Sequence, residues 1–192
     1  PDTLFVACCD SRVVPNVFAS SNPGDLFVLR NIGNLIPPYH KATSPESTDE
    51  SVAAAIEFAL ECLQVSHIVI CGHSDCGAMN TTLKQNINRA LTPFLDIWLK
   101  NVQPSYERFR KNQVKAPNLS DSNQLSQINV LQQIAHLKTY TIVLNRLKNQ
   151  QLMLHSWWFD LSTANIFDYD AETEYFIILD ENRAQKKLAL LT

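Results

Sequence analysis

The chain has 192 residues, 45% of them hydrophobic and 18% charged, a balance that supports a buried core and excludes a disordered polymer. Sixteen Lys and Arg against nineteen Asp and Glu leave a net charge of −3 with no basic cluster, which argues against nucleic acid and anionic membrane surfaces as partners. No apolar run approaches the roughly 18–20 residues of a membrane span, and Pro1-Asp2-Thr3 leads into an apolar run with no signal-peptide pattern, as expected of a mature or trimmed segment.

The first apolar run, Leu4–Cys8, reads as a strand, as do Leu26–Arg30 and His67–Cys71. All three are nearly continuous in apolar character, the pattern of strands covered on both faces of a parallel sheet. Ser47-Thr48-Asp49-Glu50 has the form of a capping box and predicts a helix running to about Leu63. Thr92-Pro93 combines a cap residue with proline at the first helical position and predicts a helix to about Arg110. The polar stretch Lys111–Asn123 surrounds Pro117 and reads as a loop. From about Asp121 to Leu147, apolar residues at Leu125, Ile128, Leu131, Ile134 and Leu137 follow the helical period and predict two helices in sequence. Leu152–Phe159 and Tyr175–Leu179 complete the strands. No repeat or linker interrupts the chain, so residues 1–192 read as one α/β domain: a mainly parallel central sheet flanked by helices.

Only four glycines occur, Gly24, Gly33, Gly72 and Gly77, where average usage gives about thirteen. Two of them bracket Cys71-Gly72-His73-Ser74-Asp75-Cys76-Gly77, where they are expected to let the backbone turn tightly around ligands. The cysteines, Cys8, Cys9, Cys62, Cys71 and Cys76, are odd in number and sparse, which fits reduced thiols in a cytoplasmic setting better than a disulfide framework. Cys62 and Cys71 fall in helical and strand patterns and are expected to be buried packing residues.

Ligand sites in parallel sheets lie beyond the carboxyl ends of strands, where Cys8 to Arg12 and Gly72 to Gly77 both fall. His73 and Cys76 can bite one metal ion, and Cys8 from the other strand end would be the third donor. Two thiolates and one imidazole suit Zn2+ and leave a fourth position open, the catalytic arrangement. Two thiolates also cancel the ion's formal charge and weaken it as a Lewis acid, so neighbouring groups must help. Asp10 can orient the attacking water or swing in to occupy the open position, and the guanidinium fork of Arg12 can hold it away. Other readings of the same residues remain: a surface ion pair for Asp10 and Arg12, or a redox pair for Cys8-Cys9. A thiol-phosphatase loop fits poorly, since three residues rather than five separate Cys8 from Arg12.

Together, Cys8-Cys9-Asp10-Ser11-Arg12 and Gly72-His73-Ser74-Asp75-Cys76-Gly77 resemble the paired signatures of the β-class carbonic anhydrases. Gly24 to Asn34, Asn129-Val130 with Gln133, and His155-Ser156-Trp157 resemble later landmarks of that family, so the likeness runs from about Thr3 to Asp180. The resemblance implies one Zn2+ on Cys8, His73 and Cys76, and reversible hydration of carbon dioxide to bicarbonate and a proton by attack of zinc-bound hydroxide. It implies Asp10 and Arg12 as the catalytic dyad, a substrate pocket of Phe27, Ile32 and Phe58, and a Gly77 N–H that holds a carboxylate-like oxygen. It also implies a homodimer or dimer of dimers sharing that pocket across the interface, and an N-terminal arm and a substrate-holding glutamine that would both precede Pro1. Some members switch off by binding bicarbonate at a Trp–Arg–Tyr pocket; the matching positions here are Phe5, Arg30 and Phe159, which predicts no such switch. His67 and His155 are expected to be hydrogen-bonded structural residues, His136 a surface or packing residue, His40 a loop residue, and at least one of Trp157 and Trp158 core.

Overall fold

Continuous apolar sequence in Leu4–Ala7 and Ile68–Cys71 becomes two central strands buried on both faces. The computed structural model describes residues 1–39, 50–85, 91–111 and 118–189. Strands β1 (Thr3–Cys8), β2 (Leu26–Asn31), β3 (His67–His73), β4 (Met153–Asp160), β5 (Asn165–Asp170) and β6 (Tyr175–Ile178) form one sheet in the order β2-β1-β3-β4-β5-β6. The first four of that order run parallel, and β5 and β6 add antiparallel strands. Side chains alternate across the sheet. Leu4, Val6, Ile68 and Ile70 pack on one face with Ile56, Leu60, Val130 and Tyr140, while Phe5, Ala7, Val69 and Cys71 pack on the other with Phe159. The expectation of coverage on both faces does not extend to β2, which is the edge strand and is only partly buried.

Helices occupy the connections. They are α1 (Pro15–Phe18), α2 (Glu50–Glu57), α3 (Gly77–Lys84), α4 (Pro93–Leu99), α5 (Gln103–Arg110), α6 (Asp121–Leu137), α7 (Thr141–Lys148) and α8 (Glu181–Ala189). The helix expected from Thr92 to Arg110 is broken at Lys100–Val102 by a tighter turn, because Pro104 has no N–H to continue the ladder and restarts it as α5. Beyond α2 the chain widens into a π-type turn, Phe58–Cys62, closed by the Leu63 N–H on the Phe58 carbonyl at 3.1 Å. Ile56, Ala59 and Leu60 make the buried stripe there, and Cys62 falls off it onto the surface, contrary to its expected burial. The capping-box residues Ser47 to Asp49, and His40, lie outside the described residues. Ser120 does cap α6, its hydroxyl accepting from the Asn123 N–H at 3.4 Å.

Gly72 serves a different purpose from the expected tight turn. A Cβ there would lie 2.7 Å from Val130 Cγ2, so its absence lets α6 press directly onto β3. The turn itself is made by Asp75, which takes the left-handed conformation at φ 54°. Gly77 has ordinary backbone and open space around it.

Candidate metal centre

β1 and β3 are hydrogen-bonded neighbours with Ala7 opposite Cys71, so their carboxyl ends open side by side. Cys8 ends β1, His73 ends β3, and Cys76 stands immediately before α3. His73 therefore belongs to the strand rather than to the turn. Sγ of Cys8, a ring nitrogen of His73 and Sγ of Cys76 all lie within 4.8 Å of one another. The three residues are buried, at 6%, 0% and 1% exposure.

The imidazole is prepared for a ligand. His73 Nδ1 donates to the Ser74 carbonyl at 2.8 Å, which leaves the lone pair on Nε2, and Nε2 is buried without a hydrogen-bond partner. A buried nitrogen without a partner is costly in a dry site unless something binds it. Hydrogen bonds from Cys76 and the backbone N–H groups of Gly33 and Asp10 draw the Cys8 thiol well below its ordinary range, against the opposing effect of burial. The Gly33 N–H reaches Cys8 Sγ at 3.4 Å. Its partner thiol, Cys76, is pushed up by the adjacent Cys8 sulfur and by burial, although N–H groups in the first turn of α3 oppose this. Two sulfurs, both thiolate once a metal displaces their protons, and an imidazole nitrogen form a donor set that fits a borderline-soft divalent cation such as zinc.

Asp10 sits at the edge of this cluster in the grip of Arg12. Nε and Nη2 of Arg12 donate to Oδ1 and Oδ2 of Asp10 at 2.9 and 2.8 Å, and the Arg12 N–H adds a bond to Oδ1 at 3.0 Å. These bonds hold the Asp10 carboxyl far below the usual carboxylate range. Nη2 also reaches the Asp75 carbonyl at 3.4 Å, which ties the dyad to the opposite turn. Arg30 on β2 fixes the loop from beneath, donating to the carbonyls of Cys8 at 3.0 Å and Asp10 at 2.7 Å.

A cavity of about 330 Å³ opens over the cluster, lined by Cys8, Asp10, Ile32, Gly77, Leu95 and Leu99 among others. Ile32 and Gly77 thus share one space with a candidate metal ligand. Phe27 and Phe58 do not line it; they pack against each other with ring centroids 5.7 Å apart.

Asn123 and Ser126, which hold this arrangement, give no signal in the apolar periodicity of the sequence, whereas Asn129 and Gln133 stand out only through the family resemblance. They project from one side of α6: Asn123 Oδ1 accepts the Asp75 N–H at 2.9 Å, and Ser126 Oγ donates to the His73 carbonyl at 2.8 Å while accepting from Trp158 Nε1 at 3.1 Å. Asn129 and Gln133 continue the same face. Polar residues at three- and four-residue spacing inside an apolar helix were the available clue. His136 also proves buried, with Nδ1 2.7 Å from the Ile36 carbonyl. As expected, His67 and His155 bond to each other at 3.0 Å, Cys71 is buried, Trp158 is core, and all five cysteines are free thiols.

Comparison with known proteins places this geometry. The sequence profile of the family described as carbonic anhydrase matches residues 3–166, which include Cys8, His73 and Cys76. A carbonic anhydrase of Helicobacter pylori is 33% identical over 189 residues, covering 97% of this chain and 84% of the relative. Among solved structures, the β-carbonic anhydrase CcaA superposes with a TM-score of 0.82 at 35% identity, over 93% of this chain and 84% of that one. A tetrameric β-carbonic anhydrase from the filamentous ascomycete Sordaria macrospora superposes with a TM-score of 0.74 at 29% identity, over 88% and 80%. Sequence, sheet and site agree, and the chain belongs to the β-class carbonic anhydrase family.

Proposed function

We propose that this enzyme interconverts carbon dioxide and bicarbonate at a single Zn2+ held by Cys8, His73 and Cys76. The observation that carries the reading is the buried, partnerless His73 Nε2 facing two sulfurs within 4.8 Å, beside a cavity that also contains Asp10. When bound, zinc supplies a Lewis acid with one open coordination position, able to acidify water near neutral pH.

The chain's own residues do the rest. Asp10 accepts a hydrogen bond from the attacking water and aims its lone pair at the substrate carbon, and the two Arg12 bonds keep the carboxylate from swinging onto the cation. Ile32, Leu95 and Leu99 give carbon dioxide, which has no net dipole, an apolar wall, while the Gly77 N–H can donate to an oxygen of the bicarbonate formed. Bicarbonate then leaves through the open mouth of the cavity and the proton passes to buffer.

We read residues 1–192 as one catalytic domain that works as a homodimer or dimer of dimers. Ile32, Phe58 and Phe94 are large apolar side chains at 46%, 47% and 85% exposure, a pattern that fits coverage by a second copy. Phe27 and Phe58 act on substrate in this reading only from across such an interface. Among the described residues no helix is long and apolar enough to cross a membrane, and the free thiols fit a reducing compartment such as the cytoplasm.

Stopped-flow carbon dioxide hydration tests the proposal on metal-loaded and chelator-treated protein, with metal content measured alongside. Activity that falls with zinc and returns on its re-addition is the expected result. Protein that binds no metal, or hydrates carbon dioxide equally well after complete zinc removal, overturns the reading.

A further inference from the structure

A chain of buried hydrogen bonds leads from the interior of α6 to the sulfur of Cys8. Gly33 lies at the junction. Its N–H donates to Cys8 Sγ at 3.4 Å, and its carbonyl accepts from Asn129 Nδ2 at 3.0 Å. The residue adopts φ 80°, and a Cβ there would stand 3.0 Å from Ala78 Cβ in the first turn of α3, next to Cys76. Gly33 is thus held between the Cys8 sulfur and the first turn of α3, in a conformation that only its missing side chain makes easy.

The orientation of the Asn129 amide is set by its own neighbours. Oδ1 accepts from Ser105 Oγ at 3.0 Å and from Gln133 Nε2 at 2.9 Å, so both acceptor directions are filled and Nδ2 must face Gly33. Ser105, Asn129 and Gln133 are fully buried, so no water competes for these bonds. Gln133 is anchored in turn, its Oε1 accepting from the Ile36 N–H at 2.8 Å. Flipping the amide would leave a buried oxygen facing the Gly33 carbonyl and two donors facing its nitrogen.

We propose that Asn129 is a positioning residue for the metal ligand Cys8, acting through Gly33. By holding the Gly33 backbone it keeps an N–H aimed at the sulfur, which withdraws electron density from the thiolate and keeps a bound cation a stronger Lewis acid. Gly33, Ser105 and Gln133 are the links through which this happens; none of the three, nor Asn129, lines the cavity over the cluster. The inference rests on the metal-binding reading above.

Cobalt(II) substitution and zinc release to a chromogenic chelator test it without reference to turnover. Asn129→Asp keeps an acceptor for Ser105 and Gln133 but presents no donor to the Gly33 carbonyl. The expected result is a shifted thiolate-to-cobalt charge-transfer band and zinc release about tenfold faster than wild type. Ser105→Ala, which removes one of the two bonds fixing the amide, should shift both readouts less and in the same direction, and it serves if N129D does not fold. Asp168→Asn weakens the buried ion pair with Arg183, 3.3 Å long, on β5, three strands from β1 and outside the chain of bonds leading to the sulfur. It should lower the melting temperature while leaving the band and release rate at wild-type values. A wild-type band and release rate in N129D, or in S105A should N129D not fold, overturns the inference. So does a D168N protein that shifts both readouts as far as N129D. Wild-type protein that takes up no metal overturns the functional reading itself.

Discussion

Two glycines five residues apart should respond in opposite ways to the same added methyl group. At Gly72 an alanine Cβ would lie 2.7 Å from Val130 Cγ2 and 3.2 Å from both Ser126 Oγ and Trp158 Cδ1. Carbon–carbon contacts are comfortable at about 3.5–4.0 Å, so α6 and β3 must separate by roughly 1 Å. Val130 and Trp158 are core residues with no room to retreat. Overpacking of this kind costs about 2 kcal/mol, which for a chain of this length lowers the melting temperature by about 4–8 °C. The separation also pulls Ser126 from the His73 carbonyl, so metal retention should weaken alongside stability. At Gly77 a Cβ meets nothing within 4 Å and the backbone is ordinary, so G77A should melt at or above the wild-type temperature. Its methyl would nevertheless enter the cavity over the metal centre and displace substrate, with turnover reduced about 10- to 100-fold. Thermal unfolding and stopped-flow hydration on the two variants separate these effects. A G72A protein that melts with the wild type, or a G77A protein less stable than G72A, would refute the packing account.

The dyad offers a second test. Asp10→Asn should retain zinc at wild-type stoichiometry yet lose about 100-fold or more in turnover, because the attacking water loses its charged acceptor. Arg12→Ala removes both side-chain bonds that restrain Asp10, and a crystal structure of the zinc-loaded variant should find the carboxylate moved toward the cation; Asp10 unmoved together with full activity would contradict the gating role. Bicarbonate should not act as a cooperative inhibitor, since Phe159 stacks on Phe18 at 4.4 Å, Phe5 packs edge-on to Trp157, and Arg30 is committed to the Cys8 and Asp10 carbonyls. Steep cooperative loss of activity with added bicarbonate between about pH 8.5 and 6.5 would show otherwise. Burial, aided by the neighbouring His67, lowers the His155 pKa from 6.5 to about 4. The unfolded chain therefore takes up a proton that the folded chain refuses, and stability should decline as pH falls from 6.5 towards 4, by at most about 3 kcal/mol. Denaturant titrations should show a flatter decline in H155Q over that window, and equal slopes would rule out the assignment.

Much of the sheet was legible because burial on both faces removes the polar alternation that makes strands ambiguous. β1 and β3 emerge within a residue or two of their expected bounds for this reason, and the partly buried β2, β4 and β6 do so on their apolar composition alone. β5 was hidden for a matching reason: Asn165, Asp168 and Asp170 make its composition look like a loop. Asp168 is buried there only because Arg183 and Lys187 on α8 neutralise it, a pairing no local pattern announces. The glycines drew attention to the right stretch for the wrong reason, since scarcity cannot distinguish a residue needed for a turn from one needed for close packing. Gly72 is of the second kind, and the turn is left to Asp75.

The site divides along similar lines. Cys8, His73 and Cys76 stand out in the sequence because soft donors at strand ends are uncommon, whereas the residues that aim them are ordinary amides and hydroxyls in a helix. Two strands joined by a ladder fix the spacing of their ends to within one register, but not the direction in which each terminal turn faces. That direction is set from α6. Asn123 holds the Asp75 N–H, Ser126 the His73 carbonyl, and Asn129 the Gly33 carbonyl, so one rigid helix grips the turn before Cys76 directly and reaches the Cys8 sulfur through Gly33 in the turn after β2. On their other sides the turns of α6 bury Leu125, Ile128 and Val130 in apolar surroundings. Buried polar groups on such a helix would each cost about 1–3 kcal/mol if left without partners. Their partners are the backbone groups of the turn between β3 and α3 and of Gly33 beside Cys8, so α6 cannot settle into the core without orienting those turns, and the turns cannot lose their orientation without stranding polar groups in α6. Folding of the helix and assembly of the three donors are on this account one cooperative event, brought about by the same few hydrogen bonds.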